Sequence, residues 1–114
     1  MDADDLSALE AAGAEAEFAG GQVLIERGQQ GSGLYVILEG TVVVETADAT
    51  RELGPGAVVG ELALLSPEGR RTARVRAASE VRVVAVDRVE VERLCAGDEG
   101  FADRLRRATV RLDR

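Results

Sequence analysis

From Gly20 to Val86 the chain is a succession of short β-branched runs punctuated by glycine, and this limits the possible folds more than any other feature. Ten of the 13 glycines fall there. The runs are "QVLIERG", "GLYVILEG", "TVVVET", "RELGPGAVVG", "RTARVRA" and "VRVVAV". Strands of about 4–6 residues with turn signals at this spacing predict an antiparallel sandwich or barrel of about eight short strands. "VILEGTVVVE" reads as a hairpin with Glu39-Gly40 at its turn. "DATRELGPG" should hold a second turn, with Pro55 between two glycines.

The flanks have a different texture. Asp4 to Ala16 is Asp/Ala/Glu-rich with Leu6 and Leu9, which predicts a short helix with acids at its positive end. Asp87-Arg88-Val89-Glu90 is a capping sequence, and Val91 and Leu94 lie on the apolar side of the helix it opens. After Gly97-Asp98-Glu99-Gly100, Phe101, Leu105, Ala108 and Leu112 recur at helical spacing and predict a second helix running to the chain end. That helix is marginal alone and needs a surface to pack on. Phe101 and Leu105 suit equally the chain's own β-core or the stripe of a dimer. Cys95 reads as a small buried hydrophobe and Tyr35 as a core residue. The 114 residues thus form one domain: a helical segment 1–19, a β-roll 20–86 and C-terminal helices 87–114.

Composition removes many functions. Histidine is absent and Cys95 is the only cysteine, so neither a disulfide nor a usual zinc site forms within one chain. Ser-His-Asp and Cys-His catalysis go with the histidine, and so do barrel enzymes that hold copper, iron or zinc through it. The expectation is no enzyme, no metal and no cofactor. A net charge of -7 argues against nucleic acid as a partner of this chain. No apolar run approaches the ~18–20 residues of a membrane span, and the acidic M-D-A-D-D start is the reverse of a targeting segment. The expected location is therefore cytoplasmic. Charge is divided along the chain: 13 acids and 2 arginines up to Gly69, then 8 acids and 12 arginines. All basic residues are arginine, which fits a GC-rich genome and also supplies planar forks for phosphate or carboxylate.

Residues Gly60 to Ala77 concentrate the chemistry. Glu61-Leu62-Ala63-Leu64 can form one helical turn whose free N–H groups favour an anion near Gly60. Pro67 and Gly69 end that turn and reverse the chain. Beyond them, Ala73, Val75 and Ala77 alternate with Arg74 and Arg76, a strand with one apolar face. Extended backward, the alternation puts Arg71 inward and Arg70 outward. An inward arginine needs an anion, because an unpaired buried charge is costly. Glu61 could pair with it, a bound phosphate could sit between it and the short helix, or the side chain could bend to solvent.

The ordered motif G-E-L-A-L-L-x5-R-T-A-x-V, Gly60 to Val75, resembles the phosphate-binding cassette of the cyclic nucleotide-binding domain family. Its Glu61-to-Arg71 spacing is similar to the bacterial catabolite activator protein branch. Upstream, G-x-V-L-I-E-x-G (Gly21 to Gly28), G-L-Y-V-I-L-E-G (Gly33 to Gly40) and L-G-P-G-x-x-x-G-E (Leu53 to Glu61) resemble the family's glycine and apolar pattern. The likeness covers roughly Leu6 to Ala96.

The resemblance implies an antiparallel β-roll, or jelly-roll barrel, with an N-terminal helix and C-terminal helices. It implies a cassette over 58–77 that binds a cyclic mononucleotide, cyclic AMP in preference to cyclic GMP, without catalysis. Glu61 would accept a hydrogen bond from the ribose 2′-hydroxyl. Arg71 would pair with the cyclic phosphate, Thr72 would add its hydroxyl and N–H, and Gly60, Leu62, Ala63 and Ala73 would contribute close backbone. Binding would be relayed through the C-terminal helix to a partner, a second copy or a fused effector. Two departures stand out: Val59 replaces the aromatic residue usual before Gly-Glu, and Arg114 falls about where base-contacting residues begin in the family. No helix-turn-helix segment is present, which fits a ligand module better than a transcription factor. The alternative is a β-roll in which Glu61 and Arg71 pair with each other and the surface serves protein contacts.

Overall fold

A computed structural model describes residues 1–26, 33–46, 49–60 and 73–110. Among these are three helices and nine strands: α1 (Ala3–Ala12), β1 (Ala14–Phe18), β2 (Val23–Ile25), β3 (Gly33–Glu39), β4 (Val42–Glu45), β5 (Thr50–Leu53), β6 (Val58–Val59), β7 (Arg74–Ala77), β8 (Val81–Asp87), α2 (Arg88–Gly97), α3 (Phe101–Ala108) and β9 (Thr109–Val110). They form a five-stranded sheet ordered β1-β8-β3-β6-β9 and a four-stranded sheet ordered β2-β7-β4-β5. The two sheets bear out the sandwich or barrel expected from the glycine-punctuated runs, and they form the β-roll that the resemblance implies.

Two apolar layers hold the roll together. Ile25, Ile37, Val44, Val59, Val75 and Val83 meet between the sheets. On the other face of the five-stranded sheet, Leu34, Val36, Val58, Val84 and Val86 pack against Leu9, Val91, Phe101 and Leu105 from the helices. The central strands β3 and β8 therefore bury both faces, which is why "GLYVILE" and "VRVVAV" read as nearly continuous apolar runs. Phe101 and Leu105 are 2% and 0% exposed, so they cover this chain's own sheet. Tyr35 packs edge-on against Phe18, ring centroids 6.1 Å apart. Cys95 is half-buried beside the helix-side layer.

Three sequence expectations are corrected. The N-terminal helix stops at Ala12, and Ala14–Phe18 is a strand paired antiparallel with β8. Alanine and glutamate favour helix intrinsically, but A-E-A-E-F also alternates, and Ala16 and Phe18 pack toward the inter-sheet layer. The final helix ends at Ala108, and Thr109–Val110 joins the sheet edge.

The third correction concerns "VILEGTVVVE", which is not a hairpin. β3 pairs with β6 and β8, whereas β4 pairs with β5 and β7 in the other sheet. Gly40 turns the chain between the sheets at φ 89°, and a Cβ there would run into the Glu80 carbonyl oxygen. Thr41 N–H donates to Ser79 Oγ at 3.1 Å, and Ala78 N–H donates to Thr41 O at 2.9 Å. The two sheet-crossing connections, 40–41 and 78–80, thus brace each other. Gly40→Ala is expected to cost about 2 kcal/mol or more, from left-handed strain plus a backbone collision, read as a lowered urea midpoint at unchanged slope. The second anticipated turn holds: Ala57 N–H bonds Gly54 O at 3.2 Å across Pro55 and Gly56, with Gly56 at φ 91°.

The helices are joined by ionic contacts. Asp2 caps α1 by accepting from the Asp5 N–H at 2.8 Å, and Asp87 caps α2 through the Glu90 N–H at 2.9 Å. Arg104 on α3 forks onto Asp5, with Nε to Oδ2 at 2.7 Å and Nη2 to Oδ1 at 3.0 Å, and reaches Asp98 Oδ2 at 2.7 Å. The hydrogen bond from Arg104 holds the Asp5 carboxyl below its usual range. Its contribution to stability is therefore complete above the ordinary carboxylate value of about pH 4 and is lost as pH falls through the depressed one. Asp5→Asn should flatten the acid limb of a Tm-against-pH series while leaving the neutral-to-alkaline limb parallel to the parent.

Candidate functional site

The site is best built from the two strands that deliver chain to segment 61–72. β6 lies in the five-stranded sheet, held to β3 by the pairs Tyr35↔Val59 and Val36↔Val58. Its two residues face opposite layers: Val58 faces the helices and Val59 the inter-sheet interior, both essentially inaccessible. With both flanks closed, the chain leaves at Gly60, which is buried and has φ 94°. A glycine is the residue that takes this backbone without strain. Val59 fills its place without an aromatic ring, packed into the inter-sheet cluster.

The chain re-enters on the opposite sheet. Ala73, Val75 and Ala77 are each 0% exposed and point between the sheets, as the alternation predicts. The arginines between them face outward. Arg74 Nε bonds Glu26 Oε1 at 2.8 Å and Arg76 Nη2 lies 3.7 Å from Glu45 Oε2. The hydrogen bond that Arg74 donates to Glu26 raises the Arg74 pKa further above its already high value. The described chain thus stops at Gly60 beside one sheet and resumes at Ala73 beside the other, and Val59 and Ala73 both pack in the inter-sheet layer.

That interior sets the chemistry. Among the described residues, the buried polar side chains are Asp5 and Thr109, and neither belongs to the inter-sheet layer. Among the described residues, the inter-sheet layer is an apolar packed core with no charged side chain buried in it. The other arginines with described partners are engaged outside it. Arg82 bridges Glu39 and Glu15 across three strands at 3.1 and 2.6 Å, which holds the Glu39 carboxyl low. Arg88, Arg93 and Arg106 pair with Glu92, Glu90 and Asp103 along their helices.

Of the seven sequence-derived site residues, Gly60 and Ala73 are placed, one at each end of the segment. Glu61, Leu62, Ala63, Arg71 and Thr72 lie outside the described residues, as does Arg70. A separate cleft of about 410 Å³ opens where the α1–β1 turn meets Gly33, Tyr35, Asp87 and Glu90. Its rim is acidic and the Asp87 carboxylate is occupied by its cap, so it is unsuited to phosphate. The fork between Asp5 and Arg104, 99 residues apart, was invisible to sequence reasoning. Nothing local to either residue marks it.

A family model described as cyclic nucleotide-binding domain matches residues 15–98, from β1 through the end of α2. A cyclic nucleotide-gated potassium channel of Rhizobium etli is 34% identical over 90 residues, covering 79% of this chain and 25% of its own length. A CRP-like cAMP-activated global transcriptional regulator of Mycobacterium tuberculosis is 31% identical over 101 residues, covering 83% of this chain and 45% of its own. The chain therefore spans less than half the length of these relatives. A solved structure from work on a cyclic-GMP-dependent signalling pathway that regulates bacterial phytopathogenesis superposes with a TM-score of 0.84 at 28% identity. That superposition covers 94% of this chain and 89% of the other.

Proposed function

This chain belongs to the cyclic nucleotide-binding domain family, and from that premise we propose that it is a non-catalytic receptor for a cyclic mononucleotide, cyclic AMP in preference to cyclic GMP. The observation that supports the reading is the placement of Gly60 and Ala73, the residues on either side of 61–72, on opposite sheets. Gly60 enters that segment in a left-handed conformation from one sheet, and Ala73 leaves it fully buried in the other. A ligand held by this segment would sit against the apolar inter-sheet wall.

In this reading the polar work falls to the segment. Arg71 takes the phosphate, with Thr72 and the N–H groups of Leu62 and Ala63 beside it, and Glu61 takes the ribose hydroxyl. Gly60 and Ala73 let backbone approach closely, having little or no side chain. The wall supplies the burial and the cassette supplies the charge complement. The preference for cyclic AMP rests on the Glu61-to-Arg71 spacing and on the likeness to a regulator described as cAMP-activated.

The relay runs from the cassette into α2 and α3, and from there to an effector that is fused, docked or a second copy. The shift it delivers is bounded by the ligand's differential affinity for the two conformations. No helix among the described residues is long and apolar enough to cross a membrane, and we place the domain in a bacterial cytoplasm.

Isothermal titration with cyclic AMP, cyclic GMP and AMP tests the proposal. Saturable heat with a cyclic nucleotide, stronger than with AMP, is the expected result. No heat from either cyclic nucleotide at high micromolar concentration would sink it.

A further inference from the structure

The end of the described chain is joined to the strand that opens the cassette. β9 pairs with β6 in parallel, Val58↔Thr109 and Val59↔Val110, while the other six described strand pairings are antiparallel. Val59, the last residue of that ladder on β6, immediately precedes Gly60. The contact is made twice over, because Val58 also packs in the helix-side layer with Phe101 and Leu105 of α3. A displacement of β6 is therefore felt by α3 through side chains and by β9 through backbone.

β9 cannot slide independently of α3. Thr109 is 5% exposed; its hydroxyl donates to Leu105 O at 2.6 Å, and its N–H also bonds that carbonyl. Arg104, one turn earlier, is forked onto Asp5 and Asp98. The helix is thus tied at Arg104 to α1 and to the preceding turn, and at Thr109 to the sheet edge. Both α3 and β9 lie beyond residue 98, where the family match ends.

We propose that β9 is a strap that preorganises the entrance of the cassette: its parallel pairing with β6 holds Val58–Val59, and so Gly60, in the position from which nucleotide is bound. By reciprocity of linked equilibria, nucleotide bound at the cassette tightens the strap in return. A two-residue pairing is weak enough to open and close. This regulation rests on the cyclic nucleotide reading above, but its mechanical half does not.

Amide hydrogen exchange on the full chain separates the two. A proline at 110 removes an N–H from the paired residue, whereas alanine keeps it. Without nucleotide, Val110→Pro should speed exchange at Val59 and Gly60 at least ten-fold, with far-UV circular dichroism unchanged; Val110→Ala should not. In the parent chain, saturating cyclic AMP should slow exchange at Thr109 and Val110 at least three-fold. In titrations, Val110→Pro should bind cyclic AMP at least three-fold more weakly than Val110→Ala.

Parent-like exchange at Val59 and Gly60 in Val110→Pro overturns the strap whether or not nucleotide binds. Binding that leaves Thr109 and Val110 unprotected, or that is equal or tighter in Val110→Pro, overturns the coupling while leaving the receptor reading intact. Absence of nucleotide heat in the parent overturns the receptor reading and the coupling, and leaves the ligand-free arm to decide the strap. Should Val110→Pro fail to fold, the protection measurement on the parent chain still decides the coupling.

Discussion

Arg71→Ala is expected to weaken cyclic nucleotide binding by more than ten-fold, while Arg70→Ala leaves it within about two-fold of the parent. A charge-assisted hydrogen bond contributes roughly 1.5–3 kcal/mol, which corresponds to roughly ten- to hundred-fold in affinity. The asymmetry between adjacent arginines follows from strand alternation. Ala73, Val75 and Ala77 are fully buried, and Arg74 and Arg76 face out onto Glu26 and Glu45. Extending that parity two steps back, the expectation is that Arg71 is inward and Arg70 outward. A phosphate taken out of water without a charged partner is costly, so loss of Arg71 should be felt in affinity. Isothermal titration of both variants is the measurement. Equal losses would mean that the alternation does not extend back past Ala73.

Leu105→Ala is expected to lower the midpoint of thermal unfolding by roughly 10 °C or more, from a loss of about 2–5 kcal/mol for a buried leucine. Leu105 is 0% exposed and packs with Leu9, Leu34, Val36 and Phe101, joining α1, α3 and the sheet in one cluster. Its carbonyl also receives both Thr109 bonds, so the loosened helix would carry the sheet edge with it. Because that cavity lies inside one chain, the drop should be the same at 5 and at 200 µM protein. A loss that shrinks as concentration rises would assign Leu105 to a subunit interface. Differential scanning calorimetry at the two concentrations decides between them.

Much of the roll is written locally. The β-branched runs, the turn at Gly54 to Ala57 and the cap at Asp87 were each readable because a few neighbouring residues specify them. The inward set Ala73, Val75 and Ala77 follows from a period of two. The same short-range reading fails where two local signals compete. Ala14–Phe18 has helical composition and strand alternation at once, and the open edge of β8 decided for the strand. At Gly40, a glycine between two apolar runs suits a hairpin or a sheet-crossing corner equally well. The occupied edges of β3 and the bracing contacts of Thr41 with Ala78 and Ser79 select the corner.

By itself, then, the sequence determined the β-rich runs between the flanking helices, the inward face of β7 and the cassette motif from Gly60 to Val75. These depend on periodicity, backbone preference and residue spacing, which act over a few residues. Only the tertiary structure decided which sheet each strand joins, that Phe101 and Leu105 cover this chain's own core, that Asp5 and Arg104 meet, and that Thr109–Val110 lies beside Val58–Val59. Each of those is a contact between segments far apart in the chain. Its free energy comes from burying surface and satisfying backbone groups that neither segment can accommodate alone.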